Sequence, residues 1–217
     1  MCNKMDIVQW SYITGGIVLA YLLGSVPVAV WIGKLFFHTD VRKQGSGNAG
    51  ATNTFRVLGW QAGIPVFLLD VMKGWFAIYL FHFLPQESVF DANYYYITTG
   101  LAGAVVIGHI FPVFAGFKGG KGVATLLGVG FALFPVSGLA VFVVFIIVFL
   151  LSGYVSLASI TACIAFPFLS LFLCGNTEIP LIILSAAVAI FVPLTHAKNI
   201  KRLLSGTESR FLYKSKQ

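Results

Sequence analysis

The stretch from Gly122 to Thr177, GVATLLGVGFALFPVSGLAVFVVFIIVFLLSGYVSLASITACIAFPFLSLFLCGNT, decides the fold, because none of its 56 residues is Asp, Glu, Lys or Arg. A helix of about 20 apolar residues crosses a bilayer core of about 30 Å. As a single helix the stretch would be about 84 Å long, since each residue adds about 1.5 Å. It must therefore fold back on itself, and its best helix breakers are Pro135, with Gly138 close behind, and Gly153 after Ser152. We expect three helices, near residues 122–134, 136–151 and 155–173.

Composition and the other uncharged runs extend this conclusion to the whole chain. The 217 residues are 58% hydrophobic and 10% charged, whereas soluble domains average about 45–50% and 25%, so a soluble globular protein is excluded. The runs at 57–69 and 74–86 are too short to span singly, and we expect them to join through Asp70 and Lys73. These two side chains can pair inside the span, and we interpret the pair as structural. The remaining spans are expected near residues 7–33, 62–84, 92–117 and 179–197.

The distribution of Lys and Arg predicts the orientation, because cytoplasmic connections carry an excess of these residues. The connections that contain Glu87 with Asp91, and Glu178, carry neither. Placing every basic connection inside puts the N-terminus outside and the C-terminus in the cytoplasm, and it requires an odd number of spans, which five or seven would satisfy. We expect seven transmembrane helices, some of them short, in one all-α integral membrane domain over residues 1–217. The cytoplasmic connections lie near residues 38–61, 108–125, 152–159 and 196–210, and the basic residues on this side are Arg42, Lys43, Arg56, Lys118, Lys121, Lys198, Lys201, Arg202, Arg210, Lys214 and Lys216.

The first cytoplasmic connection contains the glycine-rich sequence GSGNAGATNTFR, from Gly45 to Arg56, which we interpret as a loop. It matches the dinucleotide fingerprint G-x-G-x-x-G, but that motif requires a preceding strand, and here a membrane helix precedes it. Closely spaced glycines can still direct successive N–H groups into one anion-binding concavity, and Arg56 adds a planar fork suited to phosphate. The alternative is a flexible loop that touches lipid headgroups. The candidate anion ligands are Gly45, Ser46, Gly47, Asn48, Gly50, Thr52, Asn53 and Arg56.

The second segment, GHIFPVFAGFKGGKGVAT from Gly108 to Thr125, is glycine-rich and basic. It differs from a P-loop, because one residue is missing before the lysine and Gly122 stands where Ser or Thr is required. Its turn nevertheless leads into a helix start, where free amides favour an anion; the alternative is that the lysines only anchor the protein. His109 is either a polar group at a helix end or a catalytic group. The candidate ligands here are Lys118, Gly119, Gly120, Lys121 and Gly122.

The third segment, HAKNIKRLLSGTESR, runs from His196 to Arg210. As a helix it would place Asn199 near the membrane surface with Arg202 one turn away, and Arg202 is a further candidate substrate ligand. The alternative is a basic tail that lies on anionic lipid, an interpretation that is strongest for Lys214 and Lys216. The net charge of +7 fits a membrane surface or an anionic substrate, and we expect no nucleic-acid partner.

Together the three segments, with YVSLAS at 154–159 before the last of them, resemble the bacterial membrane family of acyl-phosphate:glycerol-3-phosphate acyltransferases. The resemblance implies a multi-pass protein of the bacterial inner membrane whose active site faces the cytoplasm. It implies transfer of a fatty acyl group from acyl phosphate to glycerol 3-phosphate, giving lysophosphatidic acid and phosphate for phospholipid biosynthesis. It also implies that acyl-CoA is not used, and the His-x-x-x-x-Asp box of other glycerol-phosphate acyltransferases does not occur at His38, His109 or His196. The expected partners are the two substrates, the bilayer and the enzyme that makes acyl phosphate.

Because an acyl phosphate is already activated, the reaction requires two anion pockets and a proton acceptor, and we expect no metal ion or cofactor. We assign one pocket to the amides of residues 45–50 with Ser46 and Thr52, and leave open which phosphate it binds. His109 or the departing phosphate could accept the proton. A carrier or channel would place polar groups near the membrane midplane and along both halves, whereas the outer half here has few. The second pocket is assigned to Arg56, Lys118 and Lys121, and the candidates for orienting the hydroxyl or stabilising an oxyanion are Ser156, Asn199 and the amides of residues 119–122.

Overall fold

The computed structural model of the protein describes residues 6–85, 88–173, 175 and 177–211, and in this part of the chain all regular structure is helical. The all-α prediction is thereby confirmed for the described residues. Glu87, Lys214 and Lys216, discussed above, lie outside them. The chain divides into two compact units, Met1–Leu133 and Phe134–Gln217.

The first unit is built on two pairs of packed helices. Its described helices are α1 (Ile7–Ser25), α2 (Val28–Phe37), α3 (Ala51–Leu58), α4 (Trp60–Tyr79), α5 (Ser88–Ala92), α6 (Tyr94–Ile110) and α7 (Val123–Leu133), with 3-10 turns at Val41–Lys43, Leu80–Phe83 and Val113–Ala115. α6 packs against α1, and α7 packs against α4. Asp6 caps α1, because its carboxylate accepts a hydrogen bond from the Gln9 N–H at 2.8 Å and so satisfies a donor that the helix itself leaves unpaired.

Glycines allow the two helix pairs to approach closely. A Cβ atom at Gly108 of α6 would collide with the Tyr21 carbonyl oxygen of α1, and one at Gly74 of α4 would collide with the Thr125 carbonyl oxygen of α7. Small residues let helix backbones approach in this way, and the contact gains packing energy along its length. The packing fixes the end of α6 and the start of α7, which border the candidate site.

The predicted first span, residues 7–33, is two helices rather than one. α1 ends at Ser25 because Pro27 lacks an amide hydrogen and disfavours helical backbone at Val26, whose ψ is 109°. α2 then continues to Phe37. The Val26 carbonyl oxygen accepts a hydrogen bond from Lys73 Nζ at 3.2 Å, so a carbonyl group released by the break has a buried partner.

The predicted loop at residues 45–56 is a helix in its second half. The glycines end at Gly50, which caps α3, and the next eight residues lack Gly and Pro, the residues that most disfavour a helix. Phe55 packs against α4, because a Cβ atom at Gly63 would collide with the Phe55 ring. The candidate ligands that this correction moves from a loop to α3 are Thr52, Asn53 and Arg56.

In the second unit, α8 begins and ends at the helix breaks that the sequence predicts. Its described helices are α8 (Pro135–Ser152), α9 (Val155–Phe168), α10 (Ile179–Thr195) and α11 (Ala197–Leu204), with a π-helical turn at Leu169–Leu173. Pro135 opens α8, where its missing N–H costs nothing, and Gly153, with φ +74°, ends it. The chain bends by 61° between α10 and α11. His196 is buried at this bend, with Nδ1 2.9 Å from the Val192 carbonyl oxygen.

Several of these helices have the length and composition of membrane spans. Five described stretches are long and apolar enough to cross a membrane, and a sixth is added if α10 and α11 count as one bent span. α7 has 11 residues and is about 17 Å long. The multi-span prediction is confirmed for the described residues, and the count of seven remains a prediction because it includes α7.

Candidate active site

His109, near the end of α6, lies beside the Asp70–Lys73 pair of α4. His109 Nδ1 is 3.5 Å from Asp70 Oδ1, and Lys73 Nζ is 2.8 Å from the same oxygen. The three side chains are only 6%, 2% and 5% exposed, for His109, Asp70 and Lys73 respectively. The predicted pair is confirmed, whereas its contact with His109 was missed. A carboxylate near one ring nitrogen favours the tautomer with its hydrogen on that nitrogen, and burial beside an ion pair distinguishes His109 from a solvent-exposed polar group at a helix end.

The turn that follows α6 folds back onto His109. The N–H groups of Gly119 and Gly120 donate to the carbonyl oxygens of Ile110 and His109, each at 3.1 Å. A Cβ atom at Gly120 would collide with His109 Nε2, so the turn can lie on the ring because residue 120 has no side chain. One ring nitrogen of His109 therefore faces Asp70 and the other faces the turn. The amides of Gly119 and Gly120, which are predicted to bind an anion, thus donate to backbone carbonyl groups at the end of α6.

α7 starts immediately after this turn. Gly122 has φ +81°, a left-handed conformation that costs a residue with a Cβ atom free energy. Its carbonyl oxygen accepts the Leu126 N–H at 2.7 Å. Lys121 thus stands directly before a helix start, where unpaired N–H groups and the helix dipole favour an anion.

The first glycine-rich loop is organised from inside by Asn53, which is buried. Asn53 Nδ2 donates to the carbonyl oxygens of Val41 at 2.7 Å and Gln44 at 3.2 Å, and Oδ1 accepts the Ser46 N–H at 2.8 Å. The Gly47 N–H donates to the Gln44 carbonyl oxygen at 3.0 Å. The Asn53 side chain and these two amides, which are predicted to bind an anion, thus form hydrogen bonds within the loop. Beyond them, α3 starts after Gly50 without a hydrogen bond from a capping side chain.

The two glycine-rich loops meet. A Cβ atom at Gly120 would lie 3.1 Å from the Ala49 carbonyl oxygen, which places the first loop against the second beside His109. Arg42 Nη1 donates to the Ala115 carbonyl oxygen at 2.9 Å. Arg42 is itself held by Asp40, whose carboxylate accepts from Nε at 3.0 Å and Nη2 at 2.8 Å. Arg42 therefore joins the loops at a second point, which sequence reasoning missed.

The Arg42 link is stable at neutral pH. The side-chain hydrogen bonds from Arg42 hold the pKa of the Asp40 carboxyl well below its usual range, because they favour the charged form. Asp40 therefore stays ionised and keeps Arg42 aimed at the second loop.

Three cations belong to the segments that meet here. Arg56 of α3 and Lys118 are exposed, and Lys121 is partly exposed. Arg56 lies in the last turn of α3, whereas Lys118 and Lys121 lie in the glycine-rich turn before α7. Exposed cations can bind phosphate groups, and an arginine fork can form two parallel hydrogen bonds with one. Within the described residues, no group of three or more His, Cys, Asp and Glu side chains could hold a metal ion.

In the second unit, the predicted residues Ser156, Asn199 and Arg202 converge on Glu208. Ser156 Oγ and Asn199 Nδ2 donate to Glu208 Oε1 at 2.8 and 2.6 Å, and Arg202 Nε donates to Oε2 at 2.6 Å. Burial raises the pKa of Glu208, but the hydrogen bonds from these three residues outweigh it, so its pKa lies below the usual value. The predicted residues are thus brought together by a carboxylate that was not itself singled out in the sequence.

The tail beyond α11 is tied to the turn between α8 and α9. The Phe211 N–H donates to the Gly153 carbonyl oxygen at 2.8 Å, and Arg210 Nε donates to Tyr154 Oη at 3.1 Å. The connections predicted near residues 152–159 and 196–210 therefore contact each other within this unit through these hydrogen bonds.

Comparison with known proteins identifies a family that the chain resembles over most of its length. The sequence model of a family described as glycerol-3-phosphate acyltransferase matches residues 14–206. Curated proteins called glycerol-3-phosphate acyltransferase are similar over most of both chains. The one from Chlorobaculum tepidum is 42% identical over 91% of this chain and 95% of its own, and the one from Fusobacterium nucleatum is 45% identical over 91% and 97%. One from Listeria monocytogenes is 46% identical over 89% and 93%.

Solved structures show the same similarity. A crystal structure of PlsY (YgiH), an integral membrane glycerol 3-phosphate acyltransferase, in its glycerol 3-phosphate form has a TM-score of 0.82 and 41% identity, covering 92% of this chain and 95% of that one. The lysophosphatidic acid form of PlsY has a TM-score of 0.77 and 40% identity, covering 91% of this chain and 94% of that one.

Proposed function

The chain belongs to the glycerol-3-phosphate acyltransferase family, and from this premise we propose that it takes the acyl group from an acyl phosphate. The family predicted from the three sequence segments is confirmed, and the protein is an integral membrane glycerol-3-phosphate acyltransferase. In the proposed reaction, a hydroxyl oxygen of glycerol 3-phosphate attacks the carbonyl carbon of the acyl phosphate. The new ester bond forms as the bond from that carbon to the phosphate oxygen breaks. Phosphate leaves with the electron pair, and lysophosphatidic acid is the lipid product of this step in phospholipid biosynthesis.

The observation that carries the proposal is the meeting of two glycine-rich loops beside His109. Both substrates of the proposed reaction carry a phosphate group, so the site needs two places for an anion. The start of α3 after Gly50 and the start of α7 after Lys121 supply one helix N-terminus each, and helix N-termini favour anions. Arg56, Lys118 and Lys121 supply the positive charge. We assign no particular phosphate to either place.

The remaining anion ligands follow from this arrangement. Asn53 and the amides of Ser46, Gly47, Gly119 and Gly120 keep the loops in shape. We assign the phosphate contacts to groups that do not form these hydrogen bonds within the loops. They include Gly45, Asn48, Gly50, Thr52 and the first amides after Gly122.

The proton released by the attacking hydroxyl has two candidate acceptors. The departing phosphate brings its own oxygens close to the attacked carbon, and His109 presents Nε2 to the turn at Gly120. We favour the phosphate as acceptor, with His109 supporting the turn.

In the second unit, we propose that Ser156, Asn199 and Arg202 also serve the reaction. Their hydrogen bonds to Glu208 fix their side chains, and fixed polar groups stabilise developing charge without reorganising. The acyl chain, which is apolar, enters laterally from the bilayer. The enzyme that makes acyl phosphate is proposed as a partner, since an acyl phosphate has an apolar chain and a charged head and is therefore best passed on at the membrane surface.

The proposed topology is seven helices in the bacterial inner membrane, with the N-terminus outside and the C-terminus and active site in the cytoplasm. The excess of Lys and Arg in alternate connections supports it. A reporter fused after Gln217 should therefore be active as β-galactosidase and inactive as alkaline phosphatase. A fusion after Asp91 is the matched control and should show the opposite pattern. Alkaline phosphatase activity confined to the Gln217 fusion would overturn the orientation.

Product analysis tests the proposed function. Purified protein in lipid nanodiscs, supplied with palmitoyl phosphate and glycerol 3-phosphate, should form lysophosphatidic acid and phosphate in equal amounts. Omitting glycerol 3-phosphate, or replacing it with glycerol, should abolish the lipid product. Folded protein that forms no lysophosphatidic acid under these conditions would contradict the proposal.

A further inference from the structure

The least expected feature of the first unit is the group formed by Asp70, Lys73 and His109, because all three are buried in a membrane protein. Ionisable side chains inside a membrane span are costly and usually mark a functional site. A buried ion pair is also weak evidence for stability, since apolar residues of similar volume often serve as well. The group therefore calls for a role other than holding the helices together.

Asp70 is held on one side by an anchored cation. Lys73 Nζ lies 2.8 Å from Asp70 Oδ1 and donates to the Val26 carbonyl oxygen at 3.2 Å. Val26 lies at the break between α1 and α2, where the backbone itself is fixed by Pro27. The carboxylate is thus fixed in position by α4 and by the helix break.

On its other side, Asp70 faces His109. The 3.5 Å separation of Asp70 Oδ1 from His109 Nδ1 favours the tautomer that carries its hydrogen on Nδ1. The other nitrogen, Nε2, then faces Gly120 without a hydrogen. Lys121, a proposed phosphate ligand, is the next residue after that glycine.

From this geometry we infer that Asp70 is a positioning residue for acyl transfer, which acts by fixing the orientation and tautomer of His109 under the turn that carries Lys118 and Lys121. The inference rests on the proposed function of the two glycine-rich loops. Without Asp70 the ring can rotate or change tautomer, and the turn that lies on it loses its support. Asp70 does not itself touch the substrates in this account.

A double-mutant cycle tests the inference. Asp70→Asn alone leaves Lys73 buried without its charged partner and could unfold the protein, so the variant of choice is Asp70→Asn with Lys73→Met, which removes both charges. In the His109 background this variant should lower kcat by about tenfold or more, as loss of a histidine-orienting carboxylate does elsewhere. In the His109→Ala background, where no ring remains to be oriented, it should cost less than about twofold, because groups that act as a unit are not additive. Equal losses in the two backgrounds would overturn the inference.

A spectroscopic measurement keeps this test separate from the proposed function. In protein labelled with ¹⁵N-histidine, the His109 signals, assigned by their loss in His109→Gln, should show the Nδ1-protonated tautomer in the unmodified protein. In the Asp70→Asn, Lys73→Met variant this signature should be lost. The same tautomer in both proteins would refute the inference, whether or not the protein makes lysophosphatidic acid. If the tautomer changes but no lipid product forms, the proposed function fails and the orienting role of Asp70 stands.

Discussion

The Lys121→Gln variant is expected to lose about 10- to 100-fold in kcat/KM for acyl transfer, because it removes a cation that we propose binds phosphate. A hydrogen bond to a charged group contributes about 1.5–3 kcal/mol, and each 1.4 kcal/mol corresponds to about tenfold in an equilibrium or rate constant. Arg56→Lys keeps the charge but removes the planar fork, and should lose about tenfold for the same reason. Steady-state kinetics with both substrates varied would measure these losses.

Lys43→Gln is the matched control, since Lys43 is an exposed lysine of the same basic connection as Arg56 and has no proposed phosphate contact. It should retain activity within about twofold, as expected of a surface substitution. All three variants should insert into the membrane and purify as the unmodified protein does. Full activity in both Arg56→Lys and Lys121→Gln would remove the argument that these cations bind phosphate rather than anchor the protein.

The second large effect is expected at His109. If His109 is the general base, His109→Ala should lower kcat by about 10²–10⁴-fold, the range that a positioned proton-transfer group contributes, and His109→Gln should lose as much. If the leaving phosphate takes the proton, the histidine acts by supporting the turn at Gly120, and His109→Gln should retain much of the activity that the alanine variant loses. The glutamine amide can replace one hydrogen bond of the imidazole, but it cannot act as a base.

The pH dependence of kcat separates the two acceptors for the proton. Under the phosphate-assisted mechanism, His109→Gln should keep the shape of the profile of the unmodified protein. An acidic limb that disappears in His109→Gln, together with a loss of rate as large as that of His109→Ala, would show that His109 is the general base.

Much of the helical framework was predictable from the sequence, because a membrane span requires a long apolar run and a helix break requires Pro or Gly. As expected, α8 begins at Pro135 and ends before Gly153. The break at Pro27 was missed, since the uncharged run continues through it without interruption. α3 was missed because its composition is polar, whereas its helix is stabilised by the packing of Phe55 against Gly63.

The sequence indicated which residues belong to the candidate site better than it indicated what each of them contacts. The glycine-rich segments drew attention to Asn53 and Gly120, but whether an amide faces a ligand or its own loop depends on turn geometry that the sequence does not reveal. The contact of Asp70 with His109 depends on how α4 and α6 are rotated about their axes. An intramembrane carboxylate was the one available signal, but Asp70 was interpreted with Lys73 as a structural pair, and the sequence did not name His109 as its neighbour. No feature of the sequence indicated a role for Glu208, because its three hydrogen-bond donors come close to it only when the tail folds.

Choice of the acyl donor tests the central claim most directly. Purified protein in nanodiscs should be given glycerol 3-phosphate with either palmitoyl phosphate or palmitoyl-CoA at the same concentration, and lysophosphatidic acid should be quantified by mass spectrometry. An acyl-phosphate-dependent enzyme should form lysophosphatidic acid from palmitoyl phosphate, with one phosphate released per molecule, and none from the thioester. Formation of lysophosphatidic acid from palmitoyl-CoA at a comparable rate, or from palmitoyl-CoA alone, would contradict the claim.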